Sequence, residues 1–349
     1  MALVLSEDQQ LLKDAARNFC QQRSPLNVLR ELRDSKDETG FDAAIWKQML
    51  ELGWAGMAVP ETYGGFQFGY GGLGVVLEET GRTLTSSPLI STVLICATAV
   101  NELGSDQQKA SLLPAIVGGE LLMSLALDEH SLHNPSHIET TASRTSDGFE
   151  LNGSKTFVLD GHVAKKFIVV ARSSGDRDSK EGISLFLVDS GSTGVTVART
   201  RMVDSRNAAK ISLDKVTVTE AAVLGDLDKG FVGLDRVLDI ARIGLAAEML
   251  GSIREVFERI LEYLKQREQF GVLIGSFQGL QHRAANMYTE IELCKSVVRA
   301  ALSALDDSEK SGQGIAELAS IAKAKLSEVF MLVSNEGIQM HGGIGMTDE

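Results

Sequence analysis

The sequence predicts an α+β multi-domain protein with an N-terminal helical domain, a middle antiparallel β domain and a C-terminal antiparallel helix bundle. In the first and last thirds of the chain, apolar residues follow a helical period. In the middle, short β-branched runs alternate with turn residues. The expected domains are residues 1–120, 121–227 and 228–349, and 349 residues are enough for two or three such domains.

The N-terminal third is predicted to contain four main helices. Ser6 has the side chain of a helix N-cap, and the apolar residues that follow it fall at helical spacing. The stretch 27–38 is charged and poorly periodic. Pro114 is expected to break or kink a further segment, because proline lacks the backbone N–H. The four helices are predicted to begin after Ser6 and to cover residues 43–52, 73–83 and 88–103.

The middle domain is predicted to be a sheet of about six to eight strands. Its β-branched runs are short, and turn residues separate them. Asn152-Gly153 lies between two of these runs and predicts a hairpin turn.

The last third is predicted to form three long amphipathic helices over residues 231–269, 277–305 and 315–333. The short connections between them are typical of an antiparallel bundle.

Net charge, apolar runs and cysteine spacing limit the classes of partner and the cellular compartment that we expect. A formal net charge of -13 argues against a nucleic-acid or anionic-membrane surface. No apolar run reaches the roughly 18 residues that a membrane span needs, and the N-terminus does not have the pattern of a signal peptide. The widely spaced Cys20, Cys96 and Cys294 suggest neither a disulfide framework nor a zinc site, so we expect a cytoplasmic protein.

Three phrases in the last third carry a family resemblance. They read REQFG, FQGLQHRAANM and QMHGGIG, and their order and spacing resemble the acyl-CoA dehydrogenase family. The resemblance covers essentially the whole chain. It implies an FAD cofactor and an acyl-CoA thioester substrate, whose α-proton a carboxylate removes while the flavin accepts the β-hydride. It also implies a homo- or hetero-oligomer, either a dimer or a tetramer, with electron-transfer flavoprotein as a possible partner.

The same resemblance assigns six residues to the ADP part of FAD, and it places Arg267 against the pyrophosphate of a neighbouring subunit's FAD. Without the resemblance, Arg267 would be a solvated residue at a helix end, Phe270 a core residue and Gln278 a surface amide. The glycines would form an ordinary helix C-cap. A planar guanidinium suits a pyrophosphate, and glycines allow close approach of the backbone. The expected contacts are Arg267, Phe270, Gln278, Gln339, Gly342 and Gly343.

Two residues on the helix that would line the acyl pocket are expected near the substrate. Arg242 matches a family arginine beside the active site, and Asp239 precedes it by three residues. The alternative for both is a structural ion pair.

Several positions depart from the family pattern. Leu127 is aligned with a hydroxyl residue that bonds the flavin ring, and Leu159 replaces the threonine of an aromatic–aliphatic–threonine run, here Phe157, Val158 and Leu159. Lost hydrogen bonds to a buried flavin edge would cost roughly 1–3 kcal/mol each. His130, His133 and His137 suggest a metal only weakly, because no carboxylate or thiolate accompanies them at ligand spacing in the loop, and we expect none.

The catalytic base is not identified. Most family members place a glutamate beyond the HGGIG-type turn, and a minority place it where Ala241 stands here. One hypothesis is therefore a dehydrogenase whose base lies past Glu349. A second is a non-catalytic subunit that supplies ADP-binding residues to the flavin of a partner, as in bacterial α2β2 assemblies of sterol degradation. A third is a flavin-free thioester-binding or scaffold protein.

Overall fold

A computed structural model describes residues 4–66, 68–202, 206–307 and 314–347. The helices are α1 (Glu7–Arg23), α2 (Leu26–Asp34), α3 (Ala43–Glu51), α4 (Gly69–Arg82), α5 (Thr98–Leu103), α6 (Asp106–Val117), α7 (Gly230–Gln266), α8 (Gln278–Asp306) and α9 (Ile315–His341). The strands are β1 (Met123–Ala126), β2 (Thr141–Arg144), β3 (Gly148–Leu159), β4 (Lys166–Arg172), β5 (Ile183–Asp189), β6 (Val195–Arg201), β7 (Asn207–Thr219), β8 (Val223–Leu224), β9 (Glu268–Gln269) and β10 (Val272–Leu273).

The chain divides into two compact units. The helical unit comprises Met1–Asn27, Gly69–Thr85 and Arg242–Glu349. The mixed unit comprises Val28–Phe68 and Ser86–Ala241. Mixed helix and sheet content confirms the predicted α+β class, whereas the boundaries at residues 120 and 227 stay a prediction.

In the helical unit, α4 and α7 cross at two glycines. A Cβ atom on Gly251 would lie 1.8 Å from the carbonyl oxygen of Glu78, and one on Gly81 would lie 2.0 Å from that of Glu248. The crossing therefore needs residues without side chains. Beside it, the buried Glu79 lies 2.7 Å from Lys13 Nζ. The two buried charges of Lys13 and Glu79 thus compensate each other.

In the mixed unit, the main sheet has the strand order β6-β7-β3-β2-β4-β5-β8, and β1 pairs with β4 beside this path. Most pairs are antiparallel, as predicted. The pairs β1–β4 and β2–β4 are parallel, so the sheet is mixed. Apolar residues of β4 and β5 pack against α6 and the first turns of α7 in one core cluster, which includes Leu113, Ile168, Leu185 and Leu234.

The predicted hairpin turn at Asn152-Gly153 is wrong. Both residues lie inside β3, where the pairing register with β7 shifts between Leu151 and Gly153. Asn152 Oδ1 accepts a hydrogen bond of 2.8 Å from the backbone N–H of Lys215 on the opposite strand. Leu151 and Gly153 are two positions apart, whereas their partners Val216 and Leu213 are three apart, so the extra residue of this β-bulge lies on β7, opposite Asn152.

The N-terminal helices depart from the prediction in three places. Ser6 does cap α1, with Gln9 completing a capping box. However, the charged stretch contains α2, α4 begins four residues earlier than predicted, and Pro114 lies inside α6 without ending it. The residues Leu89–Ala97 are π-helical. Within the described ranges, no helix is both long and apolar enough to cross a membrane.

Candidate functional site

A tight hairpin after α7 displays an aromatic side chain. It pairs β9 with β10 across Phe270 and Gly271, whose φ angles are 56° and 78°. Positive φ at both central residues is typical of a type I′ turn, where an aromatic residue is disfavoured. The side chain of Phe270 is nevertheless 92% exposed, so core packing is excluded for it. Strained positions of this kind cluster at ligand contacts.

Arg267 is held at the base of this hairpin. Its backbone N–H donates to the carbonyl of Tyr263, and its own carbonyl accepts from the N–H of Ile274, both at 2.9 Å. The side chain is exposed and has no ion-pair partner among the residues that the structure describes. A guanidinium in this state can form two parallel hydrogen bonds to a phosphate group.

Gln278 is the first residue of α8 and is exposed. The N-terminus of a helix carries partial positive charge and backbone N–H groups without helical partners. This position is therefore compatible with an anionic ligand, and equally with the alternative of a surface amide.

The double-glycine bend follows α9. Gly342 has a φ of 61°, a conformation that favours glycine. Cβ atoms added to Gly342 or Gly343 would meet nothing within 4 Å. The backbone is therefore open to a neighbouring molecule at this point, and the exposed Gln339 lies on the last turn just before it.

Contacts between helices bring these three segments to one end of the bundle, which we call the hairpin end. The ring of Tyr263, near the end of α7, stacks on His341 at 4.3 Å between centroids. Arg283, near the start of α8, forms an ion pair of 2.5 Å with Glu336 on α9. The hairpin, the start of α8 and the bend after α9 thus lie at the same end of the bundle, and the assignment of their residues to a cofactor stays a prediction.

The residues expected near the substrate lie on α7. Asp239 is buried, and Arg242 is half-buried. Both take part in polar or electrostatic interactions within the protein. The alternative of a structural ion pair therefore stays open for each. Ala241, between them, offers no proton acceptor.

Leu127 lies in a hydrophobic environment. Its side chain is 5% exposed and belongs to the hydrophobic core of the mixed unit. The residue that directly precedes Glu129 is Asp128, which is only partly buried and lies 2.9 Å from His133 Nδ1. The alignment of Leu127 with a family hydroxyl stays a prediction.

The aromatic–aliphatic–leucine run ends β3. Phe157 has a φ of 52° and is 53% exposed, Val158 is buried, and Leu159 is half-buried. The exposed aromatic is accessible to a ligand, whereas the Leu159 side chain has no hydrogen-bonding atom.

The structure contains a buried ion pair that was not predicted from the sequence. Lys155 Nζ lies 2.7 Å from Glu129 Oε1, and the two side chains are 0% and 4% exposed. Burial lowers the pKa of Lys155 to about 8, against the opposing effect of Glu129. Burial disfavours the charged form of Glu129, but the ammonium group outweighs it and lowers the pKa of that carboxyl. The signal was present, because Lys155 falls in phase with the inward-facing Phe149 and Leu151 of β3.

Asp160 was also missed. Its Oδ2 accepts a hydrogen bond of 2.6 Å from the Ser91 hydroxyl. Burial raises the pKa of Asp160 to about 6, and the Ser91 hydrogen bond opposes this effect. A lone aspartate after a strand gave no sequence signal for burial.

The expectation that no carboxylate accompanies the loop histidines missed Glu139. The chain folds back so that Glu139 Oε1 lies 3.4 Å from His137 Nε2, and Glu139 Oε2 lies 3.7 Å from His130 Nε2. His133 points elsewhere and pairs with Asp128. A hydrogen bond to Asp178 raises the pKa of His137.

Comparisons with known proteins identify relatives along most of the chain. Family models for the acyl-CoA dehydrogenase N-terminal, middle and C-terminal domains match residues 6–120, 128–216 and 228–349. A 3-(aryl)acrylate reductase of Clostridium sporogenes is 30% identical over 98% of this chain and 90% of its own. The caffeyl-CoA reductase-Etf complex subunit CarC of Acetobacterium woodii is 27% identical over 99% and 91%. A chain of the ChsE4-ChsE5 complex from Mycobacterium tuberculosis is similar with a TM-score of 0.87 and 26% identity, over 99% of this chain and 90% of that one.

Proposed function

Because the chain belongs to the acyl-CoA dehydrogenase family, an oxidoreductase family that depends on FAD, we propose that it binds FAD and takes part in α,β-dehydrogenation of an acyl-CoA thioester. The observation that carries the proposal is the hairpin end of the bundle. It combines an unpaired exposed cation, a strained exposed aromatic residue and an open double-glycine bend.

In this proposal, the hairpin end holds the ADP part of FAD. Arg267 donates to the pyrophosphate, and the backbone at Gly342 and Gly343 lets the cofactor approach closely. Gln278 and Gln339 donate or accept hydrogen bonds, and Phe270 covers an apolar edge. When bound, the flavin supplies the hydride acceptor. The site residues face solvent in a single chain, which is compatible with a cofactor shared with a neighbouring subunit in a dimer or tetramer.

Asp239 and Arg242 are proposed to act on the substrate side. Their positions on α7, one helical turn apart, put both on one side of that helix. A half-buried guanidinium stabilises negative charge as the thioester is polarised. We assign no residue as the base, because Ala241 cannot accept a proton.

A second candidate is a partner subunit in a hetero-oligomer that completes the flavin site of another chain. Ala241 and Leu159 favour it, since each lacks a polar group at a position where family members use one. The similarity to a chain of the ChsE4-ChsE5 complex adds support. Electron-transfer flavoprotein is proposed as the electron acceptor, by analogy with the name of the CarC relative. The three free, buried cysteines fit the reducing cytoplasm.

The visible spectrum of the purified chain tests the proposal. One flavin per chain that is bleached by an acyl-CoA supports a dehydrogenase with its own site. Colourless protein that gains flavin only when a partner subunit is added supports the second candidate. Protein without flavin under both conditions contradicts both.

Variants then test the hairpin end. Arg267→Ala is expected to lower the flavin content at least tenfold at equal free FAD. Arg259→Ala is the matched control, since Arg259 lies on α7 shortly before Arg267 and pairs with Glu255 at 2.9 Å. Phe270→Gly relieves the positive φ and removes the ring, so it should weaken flavin binding without lowering the unfolding temperature. Equal flavin content in Arg267→Ala and Arg259→Ala would remove the assignment.

A further inference from the structure

We propose that His130, His137 and Glu139 bind one divalent transition-metal ion, with Zn²⁺ as the probe that fits their chemistry. One ligand atom from each residue lies within 4.8 Å of the others. The two glutamate oxygens lie 3.4 Å and 3.7 Å from the nearest histidine Nε2 atoms. Ligands about 2.1 Å from a tetrahedral ion lie roughly 3.4 Å from each other, so the three ligand atoms must approach one another by at most about 1.4 Å, the difference from the 4.8 Å limit.

The hydrogen bond on the far side of His137 favours this role. His137 Nδ1 lies 2.5 Å from Asp178 Oδ1. A carboxylate in this position fixes the proton on Nδ1 and leaves the Nε2 lone pair for a metal, an arrangement that accompanies most metal-binding histidines. Nε2 is the atom that faces Glu139.

The two loops that carry these residues are fixed by a buried arginine. Arg172, on β4, is 8% exposed. Its guanidinium donates hydrogen bonds to backbone carbonyls of both loops. Three of them flank the site residues: Ser136 and Ile138 on either side of His137, and Arg177 next to Asp178. The other accepting carbonyls belong to Ser174, Ser179 and Glu181.

A second anchor holds Glu139. Its backbone N–H donates to Glu129 at 2.6 Å, and Glu129 is the carboxylate paired with the buried Lys155. The ligand set therefore rests on two buried charged groups, which reduces the ordering that metal binding must supply.

The donor types select the class of ion. Two imidazoles and one carboxylate suit Zn²⁺ and similar borderline ions, whereas Mg²⁺ and Ca²⁺ prefer oxygen ligands alone. Arg177 Nη1 lies 3.3 Å from Glu139 Oε1 and opposes a cation there. Its side chain is 63% exposed, so it can turn into solvent when a metal binds. His130 and Glu139 are also exposed, which leaves a coordination position for water.

Isothermal titration of the untagged, chelator-treated full chain with Zn²⁺ tests the site. We expect one ion per chain and an isotherm that is unaffected by about 1 mM Mg²⁺. His130→Ala and His137→Ala should each weaken binding at least tenfold, and Asp178→Asn roughly 10–100-fold. His282→Ala, an exposed histidine of α8, is the matched control and should bind like the wild type.

Circular dichroism of each variant establishes that the fold is retained. Glu139→Gln provides a change of charge with little change of shape and should also weaken binding. A network of ion pairs without a metal predicts the opposite pattern: no saturable binding near one ion per chain, or equal affinity in the wild type, His130→Ala and His137→Ala. Either result overturns the proposal.

Discussion

Neutralising Glu129 by Glu129→Gln is expected to destabilise the folded protein by about 3–5 kcal/mol at pH 7. The change leaves Lys155 buried without the charge of Glu129, beside the carbonyl oxygen of Leu127 at 3.0 Å. The variant can avoid this by releasing the lysine proton. The ordinary lysine pKa of 10.5 lies about 3.5 units above pH 7, and each unit corresponds to about 1.36 kcal/mol. Deprotonation therefore limits the loss to about 5 kcal/mol.

The sign of the pH dependence follows from the same values. The pKa of Lys155 is about 8 in the folded wild type and 10.5 in the unfolded chain. Between these values the unfolded state binds more protons, so stability from this group rises with pH. At pH 9 deprotonation costs only about 2 kcal/mol. The difference between Glu129→Gln and the wild type should therefore shrink to about 2 kcal/mol or less.

Differential scanning calorimetry at pH 7 and pH 9 measures both effects. A loss of 3–5 kcal/mol corresponds to a decrease in Tm of roughly 6–20 °C, on the scale of 150–250-residue domains. The double variant Glu129→Gln/Lys155→Met removes both charges and should recover most of the loss. A Glu129→Gln midpoint within about 1 °C of the wild type at pH 7, or a double variant that loses the sum of the two single losses, refutes the reasoning.

Two further predictions concern burial and packing. Burial raises the pKa of Asp160 to about 6, above its ordinary 3.8. Between these two pH values the folded state binds more protons than the unfolded chain, so the protein loses stability as the pH rises. Asp160→Asn should therefore stabilise the protein by roughly 1–2 kcal/mol at pH 7.5 and by less at pH 5; equal Tm shifts at both pH values contradict this. Gly251→Ala places a methyl 1.8 Å from the Glu78 carbonyl oxygen and should cost about 1–3 kcal/mol. Gly279→Ala on α8 has nothing within 4 Å and should be neutral or stabilising by up to about 1 kcal/mol; similar midpoints for the two variants would show that the crossing tolerates a side chain.

Periodicity predicted the long elements of the fold. The helices α7 and α8 begin and end within three residues of the predicted limits. It failed where local preference and tertiary packing disagree. The first turn of α4 contains three glycines, which disfavour a helix in isolation. Its N-terminus is stabilised from far along the chain, because Asp306 accepts from the N–H groups of Tyr70 and Gly71, both at 2.7 Å.

The candidate site was predictable only where a local phrase carries it. Arg267 and the double glycine were assigned from short motifs, and the stacking of Tyr263 on His341 that brings them together could not be read from either motif. The ligand group around Glu139 was missed because sequence spacing does not reveal a loop that folds back. Asp178, which lies 41 positions from His137, depends on pairing between strands for its position.

Arg172 also has a kinetic consequence. The Arg172 guanidinium donates to carbonyls in the loop before β2 and in the loop after β4. If either loop detached alone, this buried charged group would lose part of its hydrogen bonds. Opening should therefore be an all-or-none event for the two loops together. A protease site inserted in either loop would then be cut at a rate set by the fraying of the sheet, rather than by the motion of a surface segment.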